Sequence, residues 1–440
     1  MLECAPMGRP LLRCTAAFVV LSACGTASRD GAQTESETSD NASRGAEVVV
    51  TYWRHEHEPA TRAMNELIDR FHARNRDVRV VLRTYPYSVF TTKVVAAITA
   101  GEGPDIVNIH GSWAYGQIQS GLLQRVPESV LSAREIEQEL FPLVRAFERD
   151  GAYYALPIGA GNLALFYNKA LFRRAGLDPR RPPRTWSELR QMAERLTRRD
   201  EHGRLVQAGA SIGRAQGSGW NYFVDVVLPQ AGAGALAPDE RRVAWNTERG
   251  VRALRWYTGF IKTHEVNTVL FPDDFDAFRL GLSAMMISGN WDVAGLERVA
   301  PDLDLGVAPL PASDDGVRAS WATAWGNAVT KNATGRRRDA AWAFVRFLMT
   351  EESMKLWWER TGELPVRAHI VEDPAFVARL GPHQAFVAQM PYSQASLKKD
   401  EGEYMAAITE AIEQVLLNDM DPREALDRAA RRVDRMLARQ

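Results

Sequence analysis

Cysteine is nearly absent from this chain. Among 440 residues there are 3 cysteines, and all of them lie near the N-terminus: Cys4, Cys14 and Cys24. The remaining body has no thiol for a disulfide bond, a metal ligand or a nucleophile. Its stability must come from packing, and thiol-based catalysis is excluded for it.

Net charge and catalytic motifs are also scarce. The formal net charge at pH 7 is -1 and the arginines do not gather into one basic tract, so no nucleic-acid partner is expected. The sequence contains no nucleophile elbow, zinc-protease helix motif, phosphate-binding loop or dinucleotide fingerprint. We therefore expect neither an enzyme nor a cofactor. A carboxylate pair for glycoside hydrolysis has no local signature and stays open.

The N-terminus has the pattern of a lipoprotein signal peptide. A short basic segment, 7–13, precedes an apolar run, 14–21, that is too short to span a bilayer. Leu21-Ser22-Ala23-Cys24 follows and resembles a bacterial lipobox, in which the cysteine is lipidated and becomes the first mature residue. The alternative is an apolar helix with an incidental cysteine, and initiation at Met1 or Met7 stays open.

Three segments follow from this interpretation. We predict a signal peptide over 1–23, lipidation of Cys24, and a disordered tether over 24–46, which is small and polar and has no aromatic residue. The predicted location is extracytoplasmic, with the lipid on Cys24 as the membrane anchor.

From residue 47 the chain alternates strand and helix patterns. Apolar, β-branched runs at 48–52 and 78–82 flank a segment, 64–71, whose apolar residues recur at helical spacing. A helix ending at Gly101 and a strand at 105–109 follow. Strands separated by helices predict an α/β fold with a parallel, doubly wound sheet.

The ends of these strands are the expected ligand side. In open α/β sheets, ligands bind beyond the carboxyl ends of the strands. That rule indicates three stretches: 53–58, 85–88 and 110–113.

The middle of the chain carries a recognisable signature. It runs as DGAYYALP, a flexible crossing of small residues at Gly159–Gly161, LALFYNKALFRRAGL, and PPRTWSEL. Together with GPDIVNIHGSW, FRLGLSAMMISGNW and TGELPVR, this run resembles the extracellular solute-binding proteins of ABC transporters, in the sugar-binding group that includes maltose-binding protein. Leu282 and Ser283 stand where this family often has Lys and Ala. The resemblance covers most of residues 47–440.

The resemblance implies a two-lobed periplasmic-binding-protein-like fold. Each lobe would be a mainly parallel sheet flanked by helices, with the ligand cleft between the lobes. The expected first lobe is 47–160 plus 285–328, and the expected second lobe is 163–283 plus 332–440. Chain crossings near 159–162, 284–289 and 327–332 would act as hinges. The chain would be a monomer.

The resemblance also implies the partners. A carbohydrate, from mono- to oligosaccharide, would bind in the cleft and be delivered to an ABC permease in the membrane. Two alternatives stay open: a sensory lipoprotein that presents its ligand to a receptor, and a binder of polyols, glycerol phosphodiesters or other non-sugar solutes.

Candidate binding residues follow from the chemistry of a sugar, which offers apolar C–H faces and a rim of hydroxyls. Tryptophans in loops rich in small or polar residues are candidate platforms, although each could instead be core; Trp186, Trp256, Trp342 and Trp357 have helical spacing and are predicted core. The predicted ligand contacts are Trp53, Glu56, Tyr85, Trp113, Trp220, Asn221, Trp291, Trp325, Asn327 and Glu363. Trp321 is a further loop tryptophan, and it is not among the predicted contacts.

Three histidines raise a metal alternative. His55, His57 and His110 follow predicted strands and could converge on zinc. Alternating histidines after a strand are more often incidental, so no metal site is predicted.

Overall fold

The computed structural model describes residues 47–215, 217–393 and 398–439. The predicted signal peptide, Cys24 and the predicted tether lie outside these residues. Within the described ranges, no helix combines the length and the apolar composition needed to cross a membrane.

The strands of the main sheet lie in the order β10-β6-β11-β3-β1-β2, and β9 and β12 also pair with β6. Two short ladders, β4-β5 and β7-β8, lie apart from it. The strands are β1 (Val48–His55), β2 (Val78–Tyr85), β3 (Ile106–His110), β4 (Glu148–Arg149), β5 (Ala152–Tyr153), β6 (Leu156–Asn168), β7 (Arg198–Arg199), β8 (Leu205–Gln207), β9 (Met285–Gly289), β10 (Leu305–Ala308), β11 (Ala322–Val329) and β12 (Leu364–Pro365).

Strand direction changes across the sheet. β1 pairs in parallel with β2 and β3, as the alternation of strands and helices predicts. β11 runs antiparallel to β3 and to β6, and β9 and β10 run antiparallel to the C-terminal part of β6. Ala208 and Ser211 form parallel β-bridges with Ser283 and Met286, which extend the strand pairing of the second lobe beyond β9. Strand β6 leads from the first lobe to the second. Its neighbours β9, β10 and β11 run in the opposite direction, so these pairs are antiparallel.

The α-helices surround this sheet. They are α1 (Glu58–Arg74), α2 (Tyr87–Thr99), α3 (Gly111–Gln119), α4 (Ala133–Glu139), α5 (Lys169–Arg174), α6 (Trp186–Leu196), α7 (Gly219–Asn221), α8 (Leu228–Gln230), α9 (Glu248–Lys262), α10 (Asp274–Arg279), α11 (Trp291–Val299), α12 (Gly335–Leu348), α13 (Glu351–Thr361), α14 (Ala368–Glu372), α15 (Pro374–Val377), α16 (Gln384–Val387), α17 (Glu401–Leu417) and α18 (Pro422–Leu437). A π-helix at Tyr222–Val227 joins α7 to α8, and short 3-10 helices cover Pro142–Phe147, Gly381–His383 and Met390–Tyr392.

Helix α6 begins at the capping residue that the sequence predicts. The Thr185 side chain accepts a hydrogen bond from the Glu188 backbone N–H. The Glu188 carboxylate accepts a hydrogen bond from the backbone N–H of Arg184 rather than from that of Thr185. The first bond satisfies a backbone donor of the first helical turn, and the second satisfies the N–H of the residue that precedes the cap.

Strand β6 is the crossing between the lobes, and it is closely packed. All of its residues are buried, in contrast to the flexible crossing expected from Gly159 and Gly161. A Cβ atom on Gly159 would lie 2.6 Å from Cδ1 of Trp357, and one on Gly161 would lie 2.9 Å from Cζ3 of Trp291. The two glycines are therefore needed for close approach to indole rings.

The buried apolar side chains form two hydrophobic clusters. The first contains residues of β1, α1 and β3, and the second contains residues of α6, α9, α17 and α18. We call these the first and second core, and the parts of the chain around them the first and second lobe.

The expected boundary at 332 needs correction. Helices α12 and α13 belong to the first core: the ring of Phe344 lies 6.1 Å from that of Tyr52 on β1, and Glu352 forms ion pairs with Arg70 and Arg74 on α1. After β11 the chain therefore remains with the first lobe through 335–361. Among the described residues after β11, the members of the second core lie on α17 and α18.

Candidate functional site

A cavity of about 770 Å³ lies between the two lobes. Residues of α2 and α3 line it from the first lobe, and residues of α7 and the start of α17 line it from the second. Trp321, directly before β11, completes the lining where the chain crosses. The size is typical of small-molecule binding sites.

The first lobe presents a group of aromatic rings to the cavity. Tyr87 is 55% exposed, and its ring lies 5.4 Å from that of Trp113; both line the cavity. Behind them, Trp325 meets Trp113 edge-on at 5.2 Å and stacks on His55 at 3.8 Å. Exposed rings with packed support are suited to the C–H faces of a sugar.

The second lobe contributes Trp220 and Asn221. Both lie on α7, which continues into the π-helix, and both line the cavity. The Lys398 ammonium lies 5.4 Å from the Trp220 ring and pairs with both carboxylate oxygens of Asp225 at 3.0 Å. This buried ion pair connects the π-helix to the residues directly before α17.

A chain of hydrogen bonds crosses the cleft beside the aromatic rings. Ser112, on α3, donates to Oε2 of Glu401, on α17, at 2.5 Å. The Ser112 hydroxyl therefore accepts from Nδ1 of His110, 2.5 Å away, while His110 Nε2 bonds Thr323 Oγ1. This pattern assigns the His110 proton to Nδ1. The chain joins the two lobes.

Burial holds the histidines of the site neutral. Desolvation lowers the pKa of His110, although Glu401 opposes this effect. Desolvation, together with smaller contributions from Arg54, His57 and His110, lowers the pKa of His55 to about 3. At pH 7 both rings are uncharged and can donate or accept hydrogen bonds.

The ionisable residues that line the cavity, within the described part of the chain, include one lysine and two carboxylates. Lys399 lies 3.4 Å from Glu240 Oε2, and its ammonium lies 5.4 Å from the Tyr115 ring. Asp400 and Glu401 supply the carboxylates. In the described lining, carboxylates therefore outnumber lysine and arginine side chains.

Three of the predicted contacts line this cavity directly: Trp113, Trp220 and Asn221. Two others lie next to it. Trp325 packs behind Trp113, and Trp291, which is 38% exposed, meets the cavity residue Trp321 edge-on at 6.2 Å.

The other predicted contacts lie outside the lining. Trp53 is 8% exposed and packs on Tyr85 in the first core, with ring centroids 4.8 Å apart. Asn327 is fully buried and accepts a hydrogen bond from the Tyr52 hydroxyl. Glu363 accepts one from Nε1 of Trp357. Glu56 is exposed after β1.

The prediction from sequence missed other lining residues, among them Tyr87, Gln117, Trp321 and Glu401. Trp321 carried the same loop-tryptophan signal as the chosen ones. Tyr87 lies inside the stretch 85–88 that the strand-end rule indicated. Gln117 and Glu401 belong to regular helices and give no local signal.

Within the described residues, no group of three or more His, Cys, Asp and Glu side chains is arranged to hold a metal ion. His55 and His57 lie with their rings 6.3 Å apart, while His110 takes part in the hydrogen-bond chain across the cleft.

Comparison with known proteins agrees with this geometry. Residues 66–380 match the family described as bacterial extracellular solute-binding protein. The maltotriose-binding protein of Pyrococcus abyssi is 24% identical over 331 residues, which cover 74% of this chain and 68% of that protein. The sn-glycerol-3-phosphate-binding periplasmic protein UgpB of Escherichia coli K12 is 23% identical over 420 residues, covering 90% of this chain and 93% of that protein.

A solved structure gives the same result for the fold. The cyclic alpha-maltosyl-1,6-maltose binding protein from Arthrobacter globiformis superposes with a TM-score of 0.78 at 27% identity, covering 90% of this chain and 100% of that chain. On the extent of the family match, this chain belongs to the bacterial extracellular solute-binding proteins.

Proposed function

We propose that this protein binds a carbohydrate in the cleft between its lobes and delivers it to an ABC permease in the membrane. The family is one of solute-binding proteins and not of enzymes. The observation that carries the proposal is the cavity of about 770 Å³, which is lined by tryptophans of both lobes together with polar side chains.

The chemistry of the lining supports a polyhydroxylated ligand. Trp113 and Trp220 offer ring faces for C–H groups, and the hydroxyl and carboxylate of Ser112 and Glu401 can exchange hydrogen bonds with hydroxyls. The relative from Pyrococcus abyssi is named for maltotriose, and the solved structure from Arthrobacter globiformis for a cyclic maltosyl-maltose.

The first experiment is a thermal-shift screen of the chain from Gly25 onward. Its ligands are neutral oligosaccharides, polyols, sugar phosphates, sn-glycerol 3-phosphate, amino acids and divalent metals. A neutral carbohydrate should raise the melting temperature in proportion to the logarithm of its concentration once it exceeds Kd. Stabilisation by sn-glycerol 3-phosphate alone would instead support the function for which UgpB is named. No response to any carbohydrate would contradict the proposal.

We also propose that Cys24 carries the lipid that anchors the protein at the membrane. The support is the apolar run at 14–21 followed by the lipobox-like Leu21-Ser22-Ala23-Cys24. Replacing Cys24 by Ser should release the protein from the membrane fraction, while the control Cys14→Ser should leave it there. Equal membrane association of both variants would contradict the anchor.

A further inference from the structure

Two buried amides line the cavity from opposite lobes. Gln117 lies on α3 and Asn221 on α7, and they are 4% and 7% exposed. In the part of the chain that the structure describes, Gln117 Oε1 and Asn221 Nδ2 make no hydrogen bond. Neither atom takes part in the hydrogen-bond chain through His110, Ser112 and Glu401.

An unbonded polar atom in a buried position is unusual. Most buried side-chain polar atoms in folded proteins are hydrogen-bonded, since leaving one unsatisfied carries a free-energy penalty. An amide carries donors and an acceptor together, so either orientation of each amide group leaves an unmet hydrogen-bonding capacity. Both residues line the cavity, so a side-chain rotation on binding can bring each amide into contact with a ligand there.

We propose that Gln117 and Asn221 are specificity-determining residues that bind hydroxyls of a neutral carbohydrate. One amide accepts a hydrogen bond from a ligand hydroxyl, and the other donates one. A hydroxyl can both donate and accept, so a ligand that carries several hydroxyls can hydrogen-bond to the amides of both lobes. The inference rests on the proposed function and deepens it, because it selects neutral over phosphorylated ligands.

The charges around the two amides favour a neutral ligand. Lys399, the cation of the described lining, already lies beside Glu240 and the Tyr115 ring. Asp400 and Glu401 line the same cavity, and a phosphate group would bring further negative charge close to them. The neutral amides can orient a ligand, but they carry no charge that would compensate the charge of a phosphate.

The test compares three leucine variants: Gln117→Leu, Asn221→Leu and the control Gln119→Leu. Gln119 lies on the same helix as Gln117 but is exposed and does not line the cavity. Calorimetric titration with maltotriose, or with the neutral sugar that gives the largest thermal shift, measures affinity. Melting without ligand measures stability.

We expect Gln117→Leu and Asn221→Leu each to weaken binding about tenfold, because the ligand hydroxyl loses its buried partner. The ligand-free melting temperature should stay level or rise in Gln117→Leu, because that substitution removes an unbonded polar atom from the interior. Gln119→Leu should bind normally. A purely structural glutamine would give the reverse pattern, with a lower melting temperature and unchanged affinity, and that result would overturn the proposal.

A second arm uses glucose 6-phosphate on the wild-type protein, for which no binding is expected. Tighter binding of the phosphate than of neutral sugars would overturn the inference while leaving a carbohydrate-binding function in place. A wild-type protein that binds no carbohydrate would instead contradict the proposed function itself. The two failures are thus distinguishable.

Discussion

Trp113 and Trp220 line one cavity, but their surroundings differ. Trp113 is half-buried on α3 and contacts Tyr87 and Trp325. Trp220 is 8% exposed and belongs to the second core. Removing the Trp113 ring should therefore mainly affect the ligand, while removing the Trp220 ring should also affect folding.

Replacing Trp113 by Ala should weaken carbohydrate binding by about 1 kcal/mol or more with a small change in melting temperature. Trp220→Ala should lower the free energy of unfolding by about 3 kcal/mol in addition to weakening binding, because it opens a space in a packed core. Titration calorimetry and denaturant unfolding separate the two effects.

Trp186 provides the matched control for these substitutions. Its ring stacks on Trp256 at 4.1 Å in the second lobe, outside the cavity lining. Trp186→Ala should reduce stability and leave affinity unchanged. Normal binding by Trp113→Ala would remove Trp113 from the site.

His55 should make stability depend on pH. Burial lowers its pKa in the folded protein to about 3, whereas an unfolded histidine titrates near 6.5. As pH falls below about 6.5 the unfolded chain binds a proton that the folded protein does not. The stabilisation is therefore complete above that pH and is lost progressively between about 6.5 and 3.

The variant His55→Phe keeps a ring against Trp325 but cannot titrate. Between pH 7 and 5 its melting temperature should fall less than that of the wild type, as followed by circular dichroism. His202→Phe, at an exposed turn, should retain the wild-type slope. An identical slope for His55→Phe would show that protonation of this ring is not coupled to unfolding.

At the scale of elements, the sequence predicted structure wherever the signal is local. β1, α1 and β2 follow from apolar periodicity over a few residues, and Thr185 and Glu188 mark the start of α6. The cavity depends on distant partners: Ser112 and Glu401 are separated by 289 positions. No local pattern indicates such a pair, so the aromatic half of the lining could be anticipated better than the polar half.

The glycines of β6 show how an element can be misjudged from composition. Small residues suggest flexibility, yet Gly159 lies against the Trp357 ring and the Glu363 side chain. Gly159→Ala should destabilise the protein by about 1–3 kcal/mol through overpacking. Gly295→Ala, in α11, has a nearest contact of 3.7 Å and should be neutral or stabilising by up to about 1 kcal/mol. Denaturant unfolding measures both, and equal stability of the two variants would refute the packing role of Gly159.

At the scale of the molecule, the contact between Ser112 and Glu401 ties the lobes together. Ser112→Ala removes this bond and should shift the ligand-free protein toward a more open form, by about tenfold in the equilibrium constant if the bond contributes about 1.4 kcal/mol. Small-angle scattering would show a larger radius of gyration.

Glu403→Gln is the control for that measurement, because Glu403 pairs with Arg432 inside the second lobe. Its radius of gyration should equal that of the wild type. If Ser112→Ala also scatters like the wild type, the bond does not determine the separation of the lobes.

Strand β6 has side chains in both hydrophobic clusters: Ala164 and Phe166 belong to the first core, while Leu163, Leu165 and Tyr167 belong to the second. Unfolding of either lobe would therefore remove apolar contacts from the other. Although the protein has two lobes, it should unfold as one cooperative unit, with equal calorimetric and van't Hoff enthalpies. The shared strand makes the thermodynamic domain larger than either structural lobe.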